Sequence, residues 1–449
     1  MSLRQINLAL IAGLLIGYVF LDRGFAYFGV GSIYVGEIVL ALTIMITLIT
    51  GANLQVLWSP AGYTLLAFFL WSMCILIFNT SGTWINALRD SVIWGYGLYA
   101  IFVAALVSRP HVMETSLNWY ARWMPWFAAW AAPILILQWP LSTVLPRLPG
   151  ADVNLITLKA GDTSVHLAGA LTFLMLGLHR TFPSQSGRWS SFKESLCYSG
   201  LLLGVITAGS RNRGGLLSVL LAVVIIMIFR PNNRLIRLGL VAAIVASILV
   251  AFDVSIPTGG GREISVNQIL ENVLSVAGQS GPKNLTETAE WRLEWWTAIA
   301  RDTIFGEHFW YGNGFGNSLA AQYGFADATG NRSPHNGHLT ILARAGVPGF
   351  FLWVLFILAL YGGLMYSYLA ALNNNQTHVA KLSLWLMAYL TAFFTNMSFD
   401  VYLEGPQGGI WFWCVAGFAI ALIQAQRVNA AARTPVSVRS AAAAPPNPR

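Results

Sequence analysis

Between Asp253 and Gly346 the chain carries Trp291-Arg292-Leu293-Glu294-Trp295-Trp296, then Gly312-Asn313-Gly314-Phe315-Gly316-Asn317, then Ser333-Pro334-His335-Asn336-Gly337-His338. Residues 253–346 form the one long polar stretch in a chain of almost continuous apolar segments. They hold half of its 18 acidic residues. A stretch of that length is too large to be a turn, and long loops without an evident fold of their own are usually functional. It divides the chain into membrane helices on either side and surface chemistry between them.

Hydrophobic residues make up 56% of the 449 and charged residues only 10%, against about 25% charged in a soluble domain. So few charges cannot cover a water-soluble globule of this size. The expected fold is an all-α polytopic membrane protein. A span needs roughly 20 apolar residues. Twelve segments qualify: 5–22, 32–50, 61–78, 91–107, 118–140, 165–179, 194–208, 214–229, 235–252, 347–370, 380–398 and 406–426. The sixth to eighth are short. The division is then 1–252 with nine spans, the large loop 253–346, 347–426 with three spans, and an Ala/Pro/Arg-rich tail, 427–449, expected to be disordered.

The net charge of +8 invites a nucleic-acid reading, and its distribution removes it. With the N-terminus in the cytoplasm, lysine and arginine concentrate in the cytoplasmic segments, including Arg180, Arg188 and Lys193 and then Arg230, Arg234 and Arg237. This is the positive-inside pattern. It places 253–346 outside, and attraction to anionic membrane lipids is a secondary effect. Cys74, Cys197 and Cys414 all fall in expected spans, so no disulfide framework is implied. The first apolar segment lacks a clear small-residue cleavage site and reads as a retained span.

Two helices can be read within the large loop. The first covers about Leu285 to Thr303, with Trp291, Trp295, Trp296 and Ile299 clustered on one side. That face suits either the membrane interface or packing over the helical bundle. The second is expected to be capped by Ser333, with Pro334 at its first position. It would place His335 and Asn336 in the first turn and His338 on the same face. Gly346 would stop it and Pro348 follow. The intervening glycine loop is not a nucleotide-binding fingerprint, because no strand precedes it.

The turn Ser210-Arg211-Asn212-Arg213-Gly214-Gly215 sets two arginines between back-to-back apolar segments. Arginine at such a depth tends to mark function, although both could reach out to lipid headgroups. Guanidinium matches phosphate oxygens bidentately. Further outside cations are Arg147, Lys159, Arg262, Arg292, Arg301, Arg332 and Arg344. A pocket gathering Arg211 or Arg213 with Arg292 and a histidine would suit a lipid-linked pyrophosphate. No Asp-x-Asp or His-Glu-x-x-His motif is present, so no metal site and no cofactor is expected, and arginines would neutralise a phosphate leaving group.

His335-Asn336, nine residues, Gly346, two residues and Gly349 resemble the signature of bacterial O-antigen ligases. These belong to a superfamily shared with O-antigen polymerases and protein O-oligosaccharyltransferases. Arg292 with Trp295 and Trp296 resembles its Arg-x-x-x-Trp element, Gly314 and Gly316 its Gly-x-Gly element, and Ser210-Arg211 its Ser-Arg-Gly turn. Here Asn212-Arg213 intervene before Gly214, so either arginine can be the counterpart. The motif resemblance spans about 205–350.

The resemblance implies a membrane-embedded glycosyltransferase of the bacterial inner membrane, its active site facing the periplasm. O-antigen would pass from undecaprenyl pyrophosphate to a sugar hydroxyl of lipid A–core, by metal-independent inverting transfer. Arg211, Arg213, Arg292 and Arg262 are the candidate pyrophosphate ligands. His335 is the candidate general base for the acceptor hydroxyl, with His338 beside it. In a first helical turn, the helix dipole would disfavour the His335 imidazolium, while a bound pyrophosphate would favour it.

The alternatives are an O-antigen polymerase, with the same donor and a second lipid-linked glycan as acceptor, or a protein O-oligosaccharyltransferase, whose members tend to be longer. A lipid or glycan transporter would be expected to place charges near mid-bilayer and to show broken paired spans. Here the outside charges collect at span ends.

Overall fold

The apolar runs fold as helices whose punctuation is largely local. In the computed structural model, residues 2–31, 33–149, 153–181, 189–230, 255–258, 262–265, 268, 272, 283–326 and 330–433 are described. Helix α1 (Leu3–Leu21) starts on Ser2, which exchanges hydrogen bonds with Gln5 in a capping box. The turn α2 (Arg23–Ala26) and the small hairpin of β1 (Gly29–Val30) and β2 (Ile33–Tyr34) lead into α3 (Val35–Thr50). Helix α4 (Pro60–Phe78) begins with proline at its first position behind the Ser59 cap. Then come α5 (Trp84–Gly95), α6 (Gly97–Val107), α7 (Pro110–Leu137) and α8 (Ala160–Met175). After these follow α9 (Ser191–Arg211), α10 (Arg213–Phe229) and the hairpin β3 (Ile256–Thr258) with β4 (Arg262–Ile264). The remainder is α11 (Lys283–Phe305), the single turn α12 (Leu319–Gln322), α13 (Gly337–Asn373), α14 (Thr377–Met397) and α15 (Pro406–Arg433).

Each expected span except the ninth coincides with a helix or a pair of helices. The ninth, 235–252, lies outside the described residues, as does the tail from 434. Among the described residues, five segments are long and apolar enough to cross a membrane: Leu3–Leu21, Pro60–Phe78, Trp84–Val107, Gly337–Asn373 and Pro406–Ala430. Helices α3 and α10 are apolar but shorter. Length and composition therefore support a multi-pass protein without reaching the count of twelve.

Helix α8 forms the axis of the bundle. Every residue from Gly161 to Met175 is buried, with α7, α9, α10 and α14 packed around it. Small residues allow the close approach typical of membrane helices. A Cβ at Gly169 would stand 2.5 Å from the Tyr389 ring, and one at Gly204 2.8 Å from Leu167.

The loop segment departs from the sequence expectation in two ways, a hairpin and a later helix start, and for the aromatic face it takes the packed one of the two arrangements the sequence left open. It contains a β-hairpin as well as helices. The aromatic face of α11 packs against protein: Trp295 is fully buried and stacks on Phe325 at 5.2 Å. The motif helix also begins later than expected. Asn336, not Ser333, is its cap, with extended backbone (φ −149°, ψ 107°) and a side chain accepting the Leu339 N–H at 3.1 Å. The Ser333 hydroxyl instead donates to Glu404, at 2.7 Å. His335 therefore precedes the helix, with φ +52° in the left-handed region. The helix-dipole reasoning for its neutral form does not apply there.

Gly346 does break the helix (φ 70°, ψ −176°), and α13 continues beyond the kink. Pro348 has no N–H to give the Arg344 carbonyl, so the last carbonyls of the first segment need other donors. The glycine loop supplies them. The Asn313 N–H donates to the Ala343 carbonyl at 2.6 Å and the Gly314 N–H to that of Arg344 at 3.1 Å. The Trp71 indole donates to the Ala345 carbonyl at 2.9 Å, and a Cβ at Gly349 would stand 3.0 Å from that indole.

Candidate functional site

The loop is pinned from beneath by charge. Asp90, at the inner side of α5, accepts the Gly316 N–H at 3.0 Å and pairs with Arg332 and Arg344, each at 3.0 Å. Arg344, only 2% exposed, also donates to the Gly314 and Asn317 carbonyls. Gly314, Gly316, Gly346, Gly349 and Trp295 are thus scaffold. Two of the cations expected outside, Arg332 and Arg344, belong to the same scaffold.

That scaffold brings His335 to one end of the bundle, where several helix termini meet. Its Nδ1 lies 3.9 Å from Asp400 Oδ1, in the link between α14 and α15. Asp400 Oδ2 is 2.6 Å from Lys159 Nζ, just before α8. Lys159 is also 3.8 Å from Asp162, which accepts from Gln407 at the start of α15. Burial alone would raise the Asp400 carboxyl. Lys159, together with the neighbouring His335 and a hydrogen bond from the Val401 N–H, overcomes burial and holds it well below the usual carboxylate range. Burial likewise opposes the Lys159 ammonium, but Asp162 and Asp400 raise it above the ordinary lysine value.

Helix α11 clamps this junction from outside. Its Arg292 donates to the Phe399 carbonyl at 3.3 Å, and Trp296, one turn on, donates to the Pro334 carbonyl at 2.8 Å. One helix face thus holds the residues immediately before Asp400 and His335. The arginine turn arrives from the other side. Asn212 caps α10 by accepting the Gly215 N–H at 2.7 Å, and Gly214 packs on Phe399. Arg211 and Arg213 flank that cap, both half-buried. Arg211 donates to the Leu135 carbonyl at 2.9 Å.

Arg262 opens β4, whose hairpin packs on α9. Its side chain lies outside what the structure describes. Asn272 joins the same corner by donating to the Gly209 and Ser210 carbonyls.

His338 is placed differently. Its Nδ1 receives the Trp353 indole N–H at 3.0 Å, and its Nε2 is 3.3 Å from the Phe394 carbonyl. One ring nitrogen is engaged within α13 and the other against α14, which suits positioning rather than proton transfer.

Sequence reasoning missed Asp400, Lys159 and Asn396. A Cβ at Gly161 would stand 3.0 Å from Asn396 Oδ1, 3.1 Å from Asn212 Nδ2 and 3.4 Å from Asp400 Oδ2. Three polar groups thus converge on a bare backbone position. Asn396 is 1% exposed, and neither amide atom has a hydrogen-bond partner. A buried amide with both valences open marks a place for a polar ligand or water. Lys159 stood among the outside cations of the sequence, but no motif tied it to Asp400, whose position is 241 residues further along the chain.

These features define a multi-pass helical membrane protein with a cationic, hydrogen-bonding cluster at one end of its bundle. The O-antigen ligase family model matches residues 198–354. That stretch includes the arginine turn, α11, the glycine loop and His335, and over it the chain is similar to the O-antigen ligase family. Comparison with curated proteins gives no match.

Proposed function

We propose that this cluster transfers a glycan from a lipid pyrophosphate to a sugar hydroxyl, as an O-antigen ligase acting on undecaprenyl-pyrophosphate-linked O-antigen and lipid A–core. The observation that carries the reading is the meeting of His335, Asp400, Arg292 and the Arg211–Arg213 turn at one junction. Asp400, anchored by Lys159, orients the His335 ring through Nδ1 and leaves Nε2 to take the acceptor proton. The 3.9 Å separation is long for a hydrogen bond, and catalytic bonds commonly tighten only once substrate is bound. Left-handed backbone at a non-glycine residue costs on the order of 1–3 kcal/mol and clusters at functional sites.

The attacking hydroxyl forms the new glycosidic bond as the C1–O bond to phosphate breaks. Its proton passes to His335, and the pyrophosphate leaves on the carrier lipid with the C1–O electron pair, gaining one negative charge and ending in a dianionic terminal phosphate. Arg292 and Arg211 or Arg213 supply donors to that developing charge, with Arg262 on the neighbouring hairpin as a further candidate. Attack opposite the leaving group inverts the anomeric centre. We place this end of the bundle at the periplasmic face of the inner membrane, on the lysine and arginine bias of the short loops. A polymerase would use the same donor half and differ only in the acceptor.

Purified protein, donor lipid and lipid A–core in excess EDTA test the reading. Product should form without added metal. Activity abolished by EDTA and restored by Mg²⁺ contradicts the arginine-based leaving-group stabilisation.

A further inference from the structure

At the opposite end of the bundle, beyond the 19 residues of α1 and so about 28 Å away, lies a second polar chamber. It has a volume of about 520 Å³ and is lined by Arg4, Arg109, His111 and Asn7 among others, with no acidic residue among the described residues of its lining. Arg4 is held in place by donating to the Thr50 carbonyl at 2.6 Å. Asn7 is 2% exposed; its amide nitrogen donates to Thr47 at 3.3 Å, while its amide oxygen has no partner. A buried amide atom facing a chamber without a partner is an open valence for a ligand.

The chamber does not end there. Leu8, Leu106 and Trp119 line both it and a second cavity, of about 170 Å³, that runs inside the bundle past Ala12 to Phe20. The second cavity is almost wholly apolar, with His166 at its inner wall. From Leu8 to Phe20 along α1 is about 18 Å. One leaflet of hydrocarbon is about 15 Å deep.

We propose that these two cavities form one binding site for an anionic glycerophospholipid of the leaflet opposite the candidate active site. The phosphate lies on Arg4 and Arg109, an ester or glycerol oxygen region meets Asn7, and one acyl chain runs up the apolar cavity. Cationic mouth and apolar shaft match the two halves of such a lipid, as basic pockets between membrane helices do elsewhere. The length suits one acyl chain and is too short for a long polyprenyl chain.

The test is lipid titration of the detergent-purified full chain by native mass spectrometry, using phosphatidylglycerol and phosphatidylcholine with identical acyl chains. Wild type should bind one phosphatidylglycerol about 10-fold more tightly than phosphatidylcholine. The double variant Arg4→Ala/Arg109→Ala should lose roughly 30-fold for phosphatidylglycerol, with two basic contacts removed. Ala12→Phe, which fills the apolar shaft and leaves the arginines intact, should weaken both lipids. Each variant is checked for a wild-type melting temperature in detergent without lipid, and Ala12→Val replaces Ala12→Phe if the latter unfolds. Equal affinity for the two lipids overturns the proposal, as does full phosphatidylglycerol binding by the double variant. It is overturned equally if inorganic phosphate alone competes at millimolar concentration, or if undecaprenyl phosphate displaces phosphatidylglycerol at equal concentration.

Discussion

Asp400 stands between His335 and Lys159, with one carboxylate oxygen 3.9 Å from the imidazole Nδ1 and the other 2.6 Å from the ammonium. The three residues come from three separate links between helices, so only the assembled bundle creates the relay. A histidine whose Nδ1 faces an anchored carboxylate is held in one tautomer with Nε2 available as a base. His338 has the opposite arrangement, with Nδ1 already accepting the Trp353 N–H.

His335→Ala should lower transfer by about 10²–10⁴-fold, the usual size of a general-base contribution, while donor-lipid binding stays near wild type. His338→Gln, which keeps much of the packing, should lose far less. Single-turnover assays with purified variants check this. A dead His338→Gln beside an active His335→Ala reverses the assignment.

Arg292→Ala should lose most of the activity through weaker donor binding and a poorer leaving group. Arg292→Lys should rescue little, because a point charge does not reproduce the guanidinium fork and would not span the distance to the Phe399 carbonyl in the same way. Arg211→Ala and Arg213→Ala, compared in the same assay, identify which arginine of the turn meets the pyrophosphate. Full activity in all three alanine variants would place the phosphate elsewhere.

Gly314→Ala should destabilise the fold rather than alter chemistry. The backbone there is left-handed at φ +69°, and an added Cβ would come 1.8 Å from the Asn79 carbonyl oxygen. The clash combines with strain, so a loss of at least 3 kcal/mol is expected. A fluorescence-detected melting curve in detergent reads it directly. An unchanged melting temperature with lost activity would make the glycine loop part of the chemistry after all.

Asp400→Asn should act on both stability and rate. The folded carboxyl is held below its ordinary range, so its stabilisation is fully present above the unfolded value near 3.9 and is lost as pH falls through the lower folded value. At neutral pH the variant should be about 3 kcal/mol less stable, because a buried partner of Lys159 is removed. The difference from wild type should persist down to about pH 4 and shrink only below it. Transfer at pH 7 should fall on the order of 10- to 100-fold as the His335 ring loses its guide. A stability difference that vanishes between about pH 5 and 6 would mean that another group titrates at this site.

The helices were legible because apolar runs of span length leave few alternatives, and α11 because its aromatic spacing is helical. The break at Gly346 was also readable from Gly-x-Pro. The cap was not: Ser333 and Asn336 are comparable caps locally, and the choice was made by Glu404, distant in sequence, which takes the Ser333 hydroxyl. The burial of Trp295 depended likewise on Phe325 folding back over α11. Arg292 and His335 could be named as candidates through their motifs. Asp400 and Lys159 were not legible, since each is a single charge at a helix end whose partner only the bundle supplies. The glycine elements were found by motif, yet their role in satisfying the carbonyls freed at the kink appears only in the structure.

The most direct measurement is a gel of lipopolysaccharide from cells lacking this chain and from the same cells carrying either wild type or His335→Ala. Ligation by this cluster requires core-only lipopolysaccharide in the deletion, full-length polymer stranded on the carrier lipid, rescue by wild type and no rescue by His335→Ala. Core bearing a single repeat would identify a polymerase instead. Unchanged lipopolysaccharide in the deletion, or rescue by His335→Ala equal to wild type, would contradict the proposed transfer.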